Sequence, residues 1–405
     1  MGRPRAFRIS RAGIIALAIS GVLVLVAAGF ASWLLMFGTA NEEPAVAPPT
    51  PQETVEPVAP QSLRFAAMGD MLPHDTVNLN AKQADGTYDY GQFFVGIQPL
   101  LENADAIFCN QEVPSAGEAF GITGYPVFNA PEQFAIDLRQ DVGCNVINLA
   151  NNHSADLGPA GITKTREVWD SLDPLSISGT NRSPEEQNTI VYSELSGVNI
   201  ALVSFAEYSN NPIDVVSLNT FANTDLFDRL LTEARQNADI VLVSMHWGTE
   251  DSHQVNATQA AYAQRAADLG ADVILGTGPH VLQPATWLSR PDGGRTLVWY
   301  SLGNMLSTQL NLNQRIGVVA TFDIDLSAET PVVTNPIAHL TYMHYDWTAQ
   351  QEAAGDLLSR NNLSLNLLAN SADLLATTRF QSASVQQILE QMTAILGPEV
   401  TVVAD

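Results

Sequence analysis

Several apolar runs in this chain end on residues that can bind a cation or move a proton. Asp70 and His74 follow one in GDMLPHD, Glu112 follows another in NQE, and Asn152 and His153 follow CNVINLA in ANNH. His246 ends the run before WGTE, His280 closes GTGPH, and Asn304 closes SLGN. Taken singly, an Asp or Asn at the end of a strand is a turn former or a helix cap. The recurrence of carboxylate, amide and imidazole at successive exits is what points to a site. These groups suit divalent ions of intermediate hardness, manganese, iron or zinc. Two such ions about 4 Å apart could lower the pKa of a shared water and clamp an attacked phosphoryl or carbonyl centre. Within NLANNHSADLG, Asn152 and His153 are read as ligands, while Asn151 and Asp156 shape the turn before the helix that starts at Gly158.

The elements that must carry these residues are legible as an alternation. LRFAAMGDML, DAIFCNQE, CNVINLA, NIALVSFAEY, DIVLVSMHWG, DVILGTGPH and TLVWYSLGNM read as short buried strands. Between them, PEQFAIDLRQDV, GPAGITKTREVWDSL, DLFDRLLTEARQN and NATQAAYAQRAADLG have helical spacing. This predicts an α/β domain with a largely parallel central sheet covered on both faces, the site lying beyond the carboxyl ends of its strands. GVVATFDIDL and HLTYMHYDW lack helical crossovers and suggest a second, antiparallel region. Residues 351–405 read as a helical C-terminal extension. Cys109 and Cys144 each sit in an apolar run, where two buried thiols and a disulfide are both open readings. His253, His339 and His344 have no partner motif and read as ordinary histidines.

The chain has 405 residues, 46% of them hydrophobic, enough for a sizeable core. Its formal net charge of −25, from 18 basic and 43 acidic residues, repels nucleic acid, which is not expected as a partner. A grip on a polyanion would have to be local, through metal ions or a few arginines, and Arg290, Arg295 and Arg315 are read as solvated rather than assigned to it. The N-terminus departs from this acidity. Arg3, Arg5, Arg8 and Arg11 form a basic tail, residues 1–12, ahead of the apolar stretch 13–37. That stretch exceeds the ~20 residues needed to span a bilayer and the ~7 to 15 of a signal peptide's apolar region. A single-pass membrane anchor is expected, its N-terminus cytoplasmic and the remainder extracellular. Residues 38–62, rich in Pro, Glu and Ala, read as an extended linker.

In combination, GDMLPHD, CNQE, GYPVFNAPEQ, NLANNHSADLGPAGI, MHWGTE, ADVILGTGPHVLQP and YSLGN resemble the CapA family of capsule and poly-γ-glutamate synthesis proteins, relatives of the calcineurin-like metallophosphoesterases. The resemblance runs from about residue 63 to 306, within a domain drawn as 63–350. It implies a four-layered αββα sandwich, one or two divalent metal ions, and an anionic polymer or phosphoester as substrate. Other membrane-bound capsule-synthesis proteins become conceivable partners. By position, the metal ligands would be Asp70, His74, Glu112, Asn152, His153, His246 and His280. His153 and His246 are also candidate general acids, and Asn129, Trp247, Glu250 and Asn304 would face substrate. One departure stands out: Gly278 occupies a position where relatives commonly carry a further histidine, so a single ion becomes conceivable and Gly278→His should then raise metal content. Two function classes follow, a metal-dependent hydrolase or transferase and a non-catalytic assembly or binding factor on the same fold.

Overall fold

Strand β1 (Ser62–Met71) sits near the middle of the larger of two sheets because its continuous apolar run is buried on both faces. In this computed structural model, which describes residues 62–328, 330–377 and 383–405, β1 is joined in parallel by β2 (Ala106–Gln111), β3 (Val146–Asn148) and β4 (Ser176–Ser178). The second sheet begins with β5 (Tyr192–Leu195) and continues with β6 (Val198–Ala206), β7 (Ile240–His246) and β8 (Val273–Thr277). It is completed by β9 (Ala285–Ser289) and β10 (Arg295–Trp299), in the order β5-β6-β7-β8-β10-β9. β11 (Asn304–Leu306) returns to the first sheet and runs parallel to the end of β1, pairing Asn304 with Asp70. β12 (Ile316–Asp325) and β13 (Val332–Asp346) then extend that sheet antiparallel from β1, followed by β14 (Asn361–Leu367) and β15 (Thr401–Val403) against β13.

Side-chain alternation sorts the layers. In β1, Leu63, Phe65 and Ala67 point into a core shared with Ile200, Leu202, Ile240, Leu242, Val273 and Leu275 of the second sheet. The intervening Ala66 and Met68 pack outward with Phe134, Leu138 and Trp169, from helices Glu132–Gln140 and Gly158–Ser171. On the far side Ala201, Val203, Val241 and Val243 meet Leu226, Phe227, Leu230 and Ala234, one stripe of helix Thr224–Asn237. Asn223 caps that helix, and a capping box of Asn256 and Gln259 starts helix Ala257–Asp268 beside it. The layering is therefore helix, sheet, sheet, helix, held by one core between the sheets and one outside each.

Three expectations need correction. A single central parallel sheet gives way to two mixed sheets. The strands without crossovers form no separate region, because β12 hydrogen-bonds directly onto β1 and β13 onto β12. Residues 351–405 are not a helical extension: they contribute β14 and β15 to the first sheet, and helix Val385–Leu396 buries Ile388, Met392 and Leu396 in the core between the sheets. All described residues belong to one compact unit, which a boundary at residue 350 would cut through. Of the two readings of the cysteines the bridge is the one found: Cys109 in β2 is bonded to Cys144, just ahead of β3. The basic tail, the apolar stretch 13–37 and all but the last residue of the linker lie outside the described residues. No described helix is long and apolar enough to cross a membrane.

Candidate metal centre

The strand exits converge, but from two sheets rather than along the edge of one. β1, β2 and β3 deliver Asp70, Glu112 and the Asn152–His153 pair; β7 and β8 deliver His246 and, past its turn, His280. A chain of amides fixes the first ligand. Asn148 in β3 donates to Asn110 Oδ1 at 2.7 Å, and Asn110 in β2 donates to Asp70 Oδ1 at 2.8 Å. Asp70 Oδ2 faces His280 Nδ1 at 3.0 Å, and its backbone N–H donates to Gly303 O at 2.9 Å. That last approach requires Gly69, where a Cβ would stand 1.9 Å from the same carbonyl oxygen.

Glu112 is fully buried, and neither of its carboxylate oxygens has a hydrogen-bond partner. The nearest cationic candidates, His246 Nε2 and His280 Nε2, lie 3.7 and 3.8 Å from Oε1. Burial, and then the neighbouring Asp70, push the Glu112 carboxyl well above its ordinary range. Asp70 is held low because the bond and charge of His280 outweigh burial. Burial alone would depress His280, but Glu112 and Asp70 prevail and raise it to about 10. Two buried carboxylates thus compete for one imidazolium. Such a negative excess in a dry interior is costly, and a divalent cation is the group that relieves it.

The donor set fits that cation. Ligand atoms of Asp70, Glu112 and His246 all lie within 4.8 Å of one another. Asn152 Oδ1 stands 3.0 Å from His246 Nε2, while Thr277 Oγ1 is 3.0 Å from the other ring nitrogen and orients the imidazole. Burial pushes His246 down to about 3, leaving it neutral and able to offer a lone pair. Asn304 Oδ1, 3.1 Å from His280 Nδ1, positions that histidine, and its own amide donates to Gln309 and Gln314. Asn304 therefore supports a ligand from behind instead of facing substrate.

His153 is set apart from these ligands. Its Nδ1 lies 2.8 Å from Asp156 Oδ2 and its Nε2 is 3.3 Å from the Asn210 amide. Asp156 also receives the Phe128 N–H and the Asn211 amide, so its carboxylate is fixed. A histidine aimed by a carboxylate is arranged for proton transfer, and the sequence had assigned Asp156 only to the turn. Asn151 does shape that turn, accepting the His153 N–H and donating to Gln111 O.

Four other candidates are placed differently from one another. Asn129 is fully buried and all its amide bonds are internal, accepting from Ala116 N–H and donating to Gly117 and Gly121 carbonyls, so it pins its loop and cannot face substrate. In the same loop it is Phe128 that reaches the site, its ring edge-to-face with His153 at 4.7 Å. Trp247 is a core residue, 1% exposed, with its indole N–H donating to Tyr300 O. Glu250 is exposed, and its charge helps to raise both Glu112 and His280. His74 stands beside the ligand cluster, half-buried, bonded through Nδ1 to Leu72 O and edge-on to Phe128 at 5.5 Å. Asn110, Asn148, Thr277 and Asn210 escaped the sequence reading, since a polar residue inside or beside a strand carries no local mark of what it will face.

Gly278 also has a positive role. It adopts φ +105° and donates its N–H to both Asp70 oxygens at 3.1 and 3.2 Å. A Cβ there would stand 2.9 Å from Trp247 O in a backbone conformation that disfavours side chains. The expected gain of a ligand on introducing histidine is therefore withdrawn.

The sequence profile of a family described as bacterial capsule synthesis protein (PGA_cap) matches residues 64–309, well over half of the chain. The PGA biosynthesis protein CapA of Bacillus subtilis is 29% identical over 234 residues, 56% of this chain and 58% of that protein. The capsule biosynthesis protein CapA of Bacillus anthracis is 26% identical over 273 residues, 64% of each. The chain thus spans about three fifths of the length of the curated relatives it matches. Among solved structures, the NAD nucleotidase of Haemophilus influenzae aligns over 82% of this chain and 67% of that one, at 11% identity and a TM-score of 0.40. On the span of the profile match, the chain belongs to the bacterial capsule synthesis protein family.

Proposed function

We propose that this protein serves the synthesis, export or processing of an anionic capsule polymer such as poly-γ-glutamate, through a centre that holds one or two divalent ions. The observation that carries the reading is the buried, unpartnered Glu112 carboxylate beside Asp70 and His246. Asp70, Glu112, Asn152, His246 and His280 would hold the metal, manganese, iron or zinc. A bound ion supplies Lewis-acid polarisation of a phosphoryl or amide carbonyl oxygen and makes water a stronger acid. The chain's own residues do the rest. Asp70 is oriented by Asn110 and Gly278, His246 by Thr277, and His280 by Asn304. His153, with Nδ1–H directed to Asp156, would in its doubly protonated form deliver the Nε2 proton to a leaving group that takes the place of the Asn210 amide. In this reading His153 is the general acid and His246 a ligand.

Elemental analysis of the purified protein, followed by assays on phosphodiesters and γ-linked glutamate polymers with and without chelator, tests the proposal. Stoichiometric metal and chelator-sensitive turnover are expected. Asp156→Asn should keep the metal and lower turnover by about 10²-fold, the lower range for a lost general acid. Metal without turnover would leave the binding-factor reading; a protein that takes up no divalent ion would end the metal-centre reading and leave only a metal-free assembly factor on the same fold. The same proposal puts the domain outside the cell on the apolar stretch 13–37. Protease added to intact cells should then remove it, and full protection would refute that placement.

A further inference from the structure

Next to the metal centre lies a groove of about 410 Å³, lined in part by His74, Tyr125, Gln309, Asn311 and Arg360. One of its walls is the back of the centre itself. His74 packs on Phe128, which packs on His153, and the Gln309 amide oxygen accepts from Asn304, which positions His280. Tyr125 stands at the rim, 76% exposed.

Arg360, immediately before β14, is the unusual member of this lining. It is 5% exposed, yet none of the ion pairs among the described residues involves it. Its Nε donates to Leu357 O at 2.7 Å, one terminal nitrogen to Thr308 O, and the other to Thr76 Oγ1 at 3.2 Å. The guanidinium lies over the rings of Tyr345 and Trp347, at 5.3 and 5.9 Å. Arg315 stacks on the same Tyr345 ring at 4.3 Å and adds a second positive charge behind the groove. Four other arginines of the fold are matched by carboxylates: Arg235 and Arg290 by Asp272, Arg182 by Asp170, Arg265 by Asp228. In a chain with 43 acidic and 18 basic residues, a buried guanidinium held only by neutral groups is a poor stabiliser of the fold. It is well suited to an incoming anion. A guanidinium has five N–H donors, more than the three bonds named use, and Arg360 lines the groove.

We infer that this groove is a carboxylate subsite of the metal centre, in which Arg360 takes a carboxylate of an anionic polymer unit while the neighbouring unit lies over Glu112, Asn152 and His153. The inference rests on the polymer reading given above and adds to it the residue that reads the polymer's charge. A domain that repels polyanions at long range then grips one at short range, where a forked donor pair is effective. Arg360 lies beyond residues 64–309, so the part of the chain that follows the family match adds a guanidinium to a groove that His74, Tyr125 and Gln309 line from within it.

The test is binding of a fluorescent γ-linked glutamate hexamer, and of its carboxamide counterpart, to the full-length protein in detergent with manganese or with EDTA. Wild type should prefer the carboxylate form by about tenfold or more, the scale of one charge-assisted contact. That preference should persist in EDTA at lower overall affinity. Arg360→Lys, which keeps the charge and loses the fork, should reduce it to about two- or threefold. An equal preference in Arg360→Lys and wild type would overturn the subsite and leave the polymer reading standing. A preference that vanishes in EDTA would overturn it too, since the carboxylate would then be read by the ion alone. This comparison needs no variant, so it decides the matter even if Arg360→Lys does not fold. No binding of either hexamer by wild type would remove the polymer reading and the subsite together.

Discussion

Leu149→Ala should destabilise the protein by about 2 to 5 kcal/mol, the cost of truncating a buried leucine without collapse of the space it leaves. Leu149 is 4% exposed in the core outside the first sheet, with Ile147, Cys109 and Trp169, and its N–H is bonded to Ser178 O. Three residues further on the expectation reverses. Asn152→Ala with His153→Ala removes the Asn152–His246 and His153–Asp156 contacts but leaves the turn's own bonds, Asn151 to Gln111 O and Ser154 Oγ to Leu149 O. The metal-free double variant should unfold within about 1 kcal/mol of the metal-free wild type, or slightly above it, because polar groups gathered for a ligand are not gathered for stability. It should also bind much less metal. Thermal unfolding with and without chelator, alongside metal analysis, reads both quantities. A double variant that melts as early as Leu149→Ala in chelator would show ANNH to be a structural turn.

Glu112→Gln should separate the centre from the fold in the opposite sense. The buried carboxylate has no hydrogen-bond partner, and its ionisation is opposed by burial and by Asp70. Without metal, the isosteric amide replaces a carboxyl whose ionisation burial and Asp70 oppose, and it can donate to Asp70. We expect the metal-free variant to gain about 1 to 3 kcal/mol, the range for relieving an unsatisfied buried polar group. In wild type, added divalent ion should raise the unfolding midpoint by mass action, whereas in Glu112→Gln that rise should be nearly lost, together with most of the bound metal. If the variant holds as much metal as wild type and is stabilised equally by it, Glu112 is not a ligand.

Much of the candidate centre was legible because only particular residue types could hold a metal, and strand exits are recognisable from where an apolar run stops. Asp70, Glu112, Asn152, His246 and His280 come together on that basis. The candidates that proved structural failed for a definite reason. Asn129 and Trp247 sit beside motif residues in sequence, but an amide serves a loop's carbonyls as readily as a substrate, and a tryptophan after a strand can turn inward. Composition cannot separate these outcomes. His74 has a ligand's chemistry and stands at the rim of the cluster, with Nδ1 bonded to Leu72 O and the other ring nitrogen left open.

By itself, the sequence determined most of the strands and helices between residues 63 and 306, which faces are apolar and which side chains can bind a cation. These properties are set by neighbours a few residues away, so periodicity and capping encode them. Only the tertiary structure decided that the strands divide between two sheets, because each run offers the same backbone donors and acceptors to any partner. It also decided that 351–405 completes the first sheet, bringing Arg360 beside residues 280 positions earlier in the chain. The bridge between Cys109 and Cys144 depends likewise on β2 and β3 lying side by side. Such pairings are fixed by which apolar faces can be buried together at once, a condition on the whole chain that no local stretch records.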